Sequence, residues 1–289
     1  KCVACKNKGK FTFKKYNFSY CVCPKCKTLY VNPRPEEKNF LNYYKKSNSI
    51  KFLADKLYKK TENARRRKIW KPKAKIILDK LKKNNIRNCN YVDIGGGYGI
   101  FAEEISKRKK NNVLVIEPSP FMAEHCRRKK INVIQKFLES VKKEDLPKKQ
   151  KCFTCFELFE HLHNPSKFIK NLRKIMNKGD IFIFTTLSSL GADILALWNN
   201  SRSVNPPHHI NFFNPNSIRI FLNKHKLKII DISTPGKIDV DILENDKNLI
   251  KDKFWKIFFK YATEHHKEKM QDFISRNNLS SHMMVICKK

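Results

Sequence analysis

One stretch constrains the chain more than any other: "YVDIGGGYGIF", Tyr91 to Phe101. An apolar run reads as a strand, and "IFAEEISKR" behind it has helical spacing. Between them Gly95, Gly97 and Gly99 form G-x-G-x-G. Glycines there let the backbone turn tightly and let a ligand approach with no Cβ in the way. The next apolar run, "NVLVIEPS", ends in Glu117, eighteen residues after Gly99. A carboxylate at that point can accept two hydrogen bonds from ribose hydroxyls. Strand, glycine loop, helix, strand and acid, in that order, describe a nucleotide-cofactor site at the carboxyl edge of a sheet. The dinucleotide pattern G-x-G-x-x-G is missing from either start, which argues against a nicotinamide cofactor.

The rest of the chain continues the alternation. "INVIQ", "KCFTCFE", "DIFIFTT", "LKIIDIST" and "SHMMVICK" read as further strands. "PFMAEHCRRK", "PSKFIKNLRKIM" and "NPNSIRIFLNKH" read as helices between them. Strands alternating with helices predict an α/β fold with a doubly wound, mainly parallel, seven-stranded sheet over 89–289. Upstream, 36–88 reads as a helical linker or cap in which "FLNYY" and "FLADKLY" carry three- and four-residue spacing and Pro72 interrupts the run.

Five of the ten cysteines fall in the first 26 residues. Cys2-x-x-Cys5 and Cys23-x-x-Cys26 are two short knuckles separated by a segment, "FTFKKYNFSY", able to form a hairpin. This is the spacing of a tetrahedral Cys₄ zinc site, structural because it leaves no open position. Cys21 makes a poorer knuckle and is left out. A ribbon of residues 1–35 cannot bury a core of its own, so the metal would supply its stability. "VNPRP" ends it.

Lys and Arg number 62 against 26 Asp and Glu, a formal charge of +36. The basic runs Arg65 to Lys68, Lys107 to Lys110 and Arg127 to Lys130 are scattered and mostly sit on helix surfaces, with no aromatic RNA-binding signature beside them. A lysine-rich compositional bias therefore stands ahead of dedicated nucleic-acid binding. An anionic small-molecule substrate suits either reading. No apolar run is long enough to span a bilayer and no secretory leader is visible, so the expected location is cytoplasmic.

With Asp93 added, the loop is D-x-G-x-G-x-G, and here the chain resembles the class I S-adenosylmethionine (SAM)-dependent methyltransferases, a Rossmann-like fold. "VIEPSPFMAEHCRRK" is similar to the family's second motif. "FELFEHLHNPSKFIKNLRKIMNKGDIFIFTT" is similar to its E-H-L segment, the following helix and the turn before the fifth strand. The resemblance implies S-adenosyl-L-methionine as cofactor, held by Asp93, Gly95, Gly97, Gly99 and Glu117. One subgroup carries a zinc ribbon ahead of this fold and is similar to sugar C-methyltransferases and to enzymes of surface-polysaccharide clusters. That implies a sugar nucleotide or polysaccharide precursor as substrate. An RNA or tRNA methyltransferase and a non-catalytic zinc-ribbon binding protein are the alternatives. Carbon, oxygen and nitrogen acceptors all stay open. The chain departs from the family at Lys151, where an Asp is usual, and in Asn177-Lys178-Gly179-Asp180, which replaces K-P-G-G.

Two places carry candidate chemistry. Glu157 reads as a cofactor-side contact or, equally, as a helix-start acid; His161 reads as a loop-orienting residue. "NPPHHINFF", Asn205 to Phe213, follows the fifth strand on the substrate side. The subgroup has Glu-His at His208-His209, so the resemblance implies that His209 is a proton-abstracting base, with His208 in the place of the usual acid. The alternative is a packed turn. A metal reading is weaker, since neighbouring residues rarely converge on one ion and no Asp or Glu accompanies them.

Overall fold

The computed structural model describes residues 1–46, 59–86, 88–108 and 112–289. Among the described residues there are two sheets. The larger has seven strands: β4 (Asn90–Ile94), β5 (Val113–Ile116), β6 (Asn132–Ile134), β7 (Lys151–Cys155), β8 (Ile181–Leu187), β10 (Lys228–Ser233) and β11 (His282–Lys288). Their order is β10-β11-β8-β7-β4-β5-β6. β4 pairs in parallel with β5 on one side and with β7 on the other. The strand order therefore reverses beside β4, which is where open α/β sheets form a ligand crevice at their carboxyl ends. The expected seven-stranded α/β sheet is present, and β4, β5, β7 and β8 are buried nearly throughout. Strands covered on both faces need apolar residues at every position rather than at alternate ones.

The chain divides into two compact units. One holds Lys1–Arg34, Glu157–Ser166 and Phe184–Cys287; the other holds Pro35–Phe156, Lys167–Ile183 and Lys288–Lys289. This differs from the division 1–35, 36–88 and 89–289 that the sequence suggests. The reason is visible in the smaller sheet, of order β1-β2-β3-β9. β1 (Lys10–Lys15) and β2 (Phe18–Val22) form the expected antiparallel hairpin, and β3 (Leu29–Val31) pairs with β2. The fourth strand, β9 (Asn211–Phe212), comes from almost two hundred residues downstream and pairs with Leu29 and Tyr30. The N-terminal ribbon is thus completed by the histidine stretch.

Within the other unit, Lys59–Arg65, a π-helical turn Arg66–Trp70 and Lys71–Lys83 follow one another without a break. Pro72 directly follows that π-helical turn, whose wider winding takes up the proline's ring and missing N–H, so the helix runs on through it instead of being interrupted. Ala74, Ile77 and Leu81 form its buried stripe. "FLADKLY" lies outside the described residues. The basic run at Arg65–Lys68 proves partly structural: Arg66 bonds Glu62, Glu103 and Glu104 at 3.0, 2.6 and 2.9 Å.

Lys151, the departure at the start of β7, is 1% exposed and pairs with Asp180 at 3.0 Å. Asp180 also accepts from the backbone N–H groups of Lys151 and Asn177. The two departures from the family pattern, Lys151 and Asp180, thus meet as one buried pair. Breaking such a buried pair leaves an uncompensated charge and costs about 3–5 kcal/mol.

Candidate active site

Consider first the unit that holds the glycine loop. Gly95, Gly97 and Gly99 all lie at positive φ, between 54° and 69°. A Cβ on Gly99 would meet Cys126 Sγ at 2.9 Å and Ile131 Cδ1 at 3.0 Å, so this glycine lets the helix pack. A Cβ on Gly97 would meet nothing nearer than Met122 Sδ at 3.9 Å. The space over Gly97 is open to a ligand's approach. Glu117 is 6% exposed and faces the same turn. Its Oε2 accepts from the Gly97 N–H at 3.0 Å and its Oε1 from the Ser119 N–H at 2.9 Å. Burial pushes its carboxyl above the usual range, and the two backbone donors pull it back. Carboxylate oxygens keep further lone pairs for ribose hydroxyls. Open backbone over Gly97 and a fixed carboxylate beside it fit a nucleoside.

Asp93 has a different place from the other predicted cofactor residues. It is 2% exposed and lies beneath the loop, where a Cβ on Gly96 would come within 2.8 Å of its Oδ2. Its Oδ1 accepts from Thr154 Oγ1 at 2.7 Å. Burial raises its pKa to about 7; the Thr154 bond lowers it, and the charge of Glu117 raises it. Register explains the contact, since Asp93 on β4 is opposite Thr154 on β7. In this structure Asp93 props the glycine turn from below.

The second unit holds the histidines. Ile210 N–H bonds the Glu160 carbonyl at 3.0 Å. Asn211, fully buried, donates from Nδ2 to the Leu162 carbonyl at 2.7 Å. The segment 159–162 and the loop are thereby joined, and Glu160, His161 and His209 come together, with ligand-type atoms within 4.8 Å of one another. An acid therefore does accompany the histidines. It arrives from a different segment, which spacing in the loop could not reveal. Glu160 is 1% exposed and its Oε2 accepts from Thr186 Oγ1 at 3.1 Å. Such a set can take a divalent cation or pass a proton.

The ring tautomers follow from the partners. His161 Nδ1 donates to the His208 carbonyl at 3.0 Å, and His209 Nδ1 donates to the Ser203 carbonyl at 2.6 Å. A carbonyl oxygen only accepts, so each Nδ1 carries the hydrogen and each neutral ring has its lone pair on Nε2. Burial lowers both pKa values, that of His161 to about 3. For His209 the Ser203 carbonyl offsets burial in part, the His208 charge adds to it and Glu157 opposes it. The rings of His161 and His209 lie 4.7 Å apart at 63°, while His208 is 6.4 Å from His161. His208 enters through its backbone carbonyl, and its own pKa is lowered by burial. The pair does not lie in the extended segment that the sequence suggests: Pro206 to His208 form a turn, closed by the His209 N–H bonding the Asn205 carbonyl at 3.0 Å.

Glu157 lies at φ 50°, in the left-handed region. Its Oε1 accepts from Thr185 Oγ1 at 2.8 Å and is 3.6 Å from His282 Nδ1. A non-glycine residue held there costs about 1–3 kcal/mol and persists only where its surroundings impose it.

Three residues that hold the histidine loop carried no sequence signal beyond their company. Tyr20, fully buried in β2, donates from its hydroxyl to the His209 carbonyl at 2.7 Å. Arg34 of "VNPRP" donates to the His163 carbonyl at 2.7 Å and to Asn211 Oδ1. Asn214 Nδ2 donates to the Cys26 carbonyl at 2.9 Å and caps the helix Pro215–Lys224. A cation between two prolines and an asparagine beside buried phenylalanines are the only local hints.

The four cysteines converge as spaced. Cys2 and Cys26 Sγ are 3.6 Å apart, Cys5 and Cys23 Sγ 3.4 Å, and all four lie within 4.8 Å of one another. Tetrahedral thiolates at a zinc–sulfur length of about 2.3 Å would be separated by roughly 3.8 Å. The knuckles are built alike. Lys6 N–H bonds the Cys2 carbonyl and Lys27 N–H the Cys23 carbonyl, and both lysines lie at positive φ.

A parallel sheet that reverses beside a glycine loop, with a buried carboxylate at the next strand end, defines a Rossmann-like nucleotide-binding fold. The methyltransferase-domain family matches residues 61–232, well over half of the chain, and the chain belongs to that family. Among curated proteins it is 24% identical over 185 residues to the mitochondrial ubiquinone biosynthesis O-methyltransferase of Dictyostelium discoideum, covering 55% of this chain and 57% of that one. It is 25% identical over 161 residues to the ubiquinone biosynthesis O-methyltransferase of Colwellia psychrerythraea, covering 52% and 65%. The chain thus spans less than two thirds of either relative. Among solved structures, an S-adenosylmethionine-dependent methyltransferase from Clostridium acetobutylicum matches with a TM-score of 0.51 at 12% identity, over 80% of this chain and 98% of that one. The plantazolicin methyltransferase BamL, in complex with a triazolic desmethylPZN analog and SAH, matches with a TM-score of 0.54 at 12% identity, over 86% and 94%. These two share the fold.

Proposed function

We propose that this chain is a SAM-dependent methyltransferase acting on a small molecule, with a sugar nucleotide or surface-polysaccharide precursor as its substrate class. Membership of the methyltransferase-domain family supports the reaction type. The carrying observation is the pairing of Gly97 and Glu117: open backbone and a buried, oriented carboxylate in one turn. Gly95, Gly97, Gly99 and Glu117 would hold the nucleoside of the cofactor, with Asp93 beneath them and Glu157 as a further polar contact. SAM supplies an electrophilic methyl group on a sulfonium.

His209 is the proposed general base. Its Nε2 carries the lone pair and its ring is kept neutral by burial, so it can accept a proton from an acceptor hydroxyl or carbon acid. The subgroup's usual carboxylate is missing at His208. Glu160 brings a carboxyl group from the other side, through the cluster it forms with His161 and His209. The names of the ubiquinone relatives specify O-methyl transfer, which an oxygen acceptor here would match. Cys2, Cys5, Cys23 and Cys26 would bind structural zinc; the near-tetrahedral sulfur separations support that reading, and metal analysis of the purified protein tests it.

The proposal is tested by methyl transfer from labelled SAM to a panel of sugar nucleotides, with bulk RNA in parallel. Label is expected on a sugar nucleotide, at a rate only weakly dependent on salt. Label on RNA alone, falling steeply with salt, would replace this reading with the RNA one.

A further inference from the structure

The helix Lys253–Tyr261, "KFWKIFFKY", is apolar on more faces than the fold uses. Trp255 and Phe259, one turn apart, pack against Leu197, Leu243 and Ile250. That face is accounted for. Phe254, Ile257 and Tyr261 lie on another and are 57%, 60% and 69% exposed. With Phe273 of the following helix, itself 56% exposed, they border an open groove of about 620 Å³. A helix apolar on several faces is normally buried, and contiguous exposed apolar side chains of this size mark an interaction surface.

The charges around the groove say what fits it. Across both helices that line it, from 247 to 276, the chain has seven lysines and Arg276 against Asp252, Glu264, Glu268 and Asp272, a balance of eight minus four, and the basic excess lies between 247 and 261. Lys253, Lys256 and Lys260 are exposed on the same helix as the phenylalanines. Lys260 Nζ lies 5.2 Å from the Tyr261 ring centroid. Asp252 is occupied as the helix cap, accepting from Trp255 N–H at 3.1 Å. A second copy of this chain would bring the same lysines, and a formal charge of +36, face to face with them. An anionic lipid surface meets both needs: acyl chains take the aromatic and aliphatic side chains, and headgroups take the ammonium groups.

We propose that Phe254, Ile257, Tyr261 and Phe273, flanked by Lys253, Lys256 and Lys260, seat this protein on an anionic lipid bilayer. The helix lies in the interface and does not cross it; among the described residues no helix is long and apolar enough to do so. Aromatic rings at headgroup depth and lysines that reach outward along their own stems are the side chains that this boundary favours.

The test is co-sedimentation of the full chain with vesicles of phosphatidylcholine alone and of phosphatidylcholine mixed with phosphatidylglycerol. The wild type is expected to bind the mixed vesicles at least about tenfold more tightly, and less so at high salt. The triple variant Phe254→Ser, Ile257→Ser, Tyr261→Ser should lose about tenfold or more in vesicle binding, with its SAM affinity unchanged. A second triple variant, Lys253→Gln, Lys256→Gln, Lys260→Gln, touches only exposed side chains and should lose the preference for anionic vesicles. The proposal is overturned if the wild type does not sediment with the mixed vesicles, or if both variants bind them as the wild type does. A lipid-free dimer that the first variant abolishes would assign the face to a second copy and overturn it too.

Discussion

The glycine loop and the histidine loop gather their groups in different ways. From Asp93 to Glu117 a single strand, turn, helix and strand supplies the glycines, the acid and the prop beneath them. The histidine loop draws on Glu160 and His161 from one segment, on His209 and Asn211 from another, and on Tyr20 and Arg34 from the N-terminal ribbon. The first needs only local geometry. The second exists only once β9 has joined β3. A contiguous site tolerates distant change, while an assembled one fails wherever a brace is lost. The proposed division of labour follows the same line: donor recognition at the glycine loop, proton removal at the histidines.

The sharpest way to break this division is His209→Asn. Asparagine keeps a donor toward the Ser203 carbonyl but has no basic nitrogen. We expect kcat to fall by about 10²–10⁴, with SAM affinity, measured by calorimetry, unchanged. Full turnover would remove the base assignment.

Chelation comes next. Structural zinc contributes folding free energy directly, and the cysteine knuckles, β3 and the histidine loop belong to one unit. Stripping the proposed zinc should lower turnover by about tenfold or more, while SAM affinity falls far less. Equal loss of both would show that the two regions do not separate in this way.

Tyr20→Phe is the finer probe. It deletes one hydroxyl whose partner is the His209 carbonyl. A buried acceptor left unsatisfied costs about 1–3 kcal/mol, lost from stability in denaturant titrations, and kcat should drop several-fold through misplacement of the loop.

The pH profile probes the same buried rings. His209 is held below its ordinary value of 6.5, so the base stays neutral below pH 6.5. The acid limb of the kcat/KM profile should therefore lie under 6.5; a limb above it contradicts the burial argument. Stability has the same sign. His161 protonates in the unfolded chain below about 6.5 but in the folded chain only near 3. Folding should thus lose up to about 1.4 kcal/mol per pH unit as pH falls between those values.

Legibility followed the same contrast. The D-x-G-x-G-x-G loop, Glu117 and the strand alternation are local, and periodicity and spacing reveal local things. So do the two cysteine knuckles, whose sulfurs converge as their spacing requires. What escaped was long-range. Nothing near His209 signals Glu160, because the link runs through Ile210 and Asn211 to backbone carbonyls. "VNPRP" reads as punctuation, yet Arg34 braces the loop through a side chain whose target lies beyond position 160. Pro72 misled for a different reason: a proline reads as a breaker, and nothing in the spacing shows that a π-helical turn before it lets the helix continue. Lys151 looked anomalous alone and became ordinary beside Asp180.

The most direct test of the central claim is a calorimetric titration of SAM into the wild-type chain and into Glu117→Ala. The account predicts one site per chain in the wild type, weakened by about 100-fold when the two ribose-directed acceptor positions are removed. No binding by the wild type, or equal affinity in the two proteins, would contradict it.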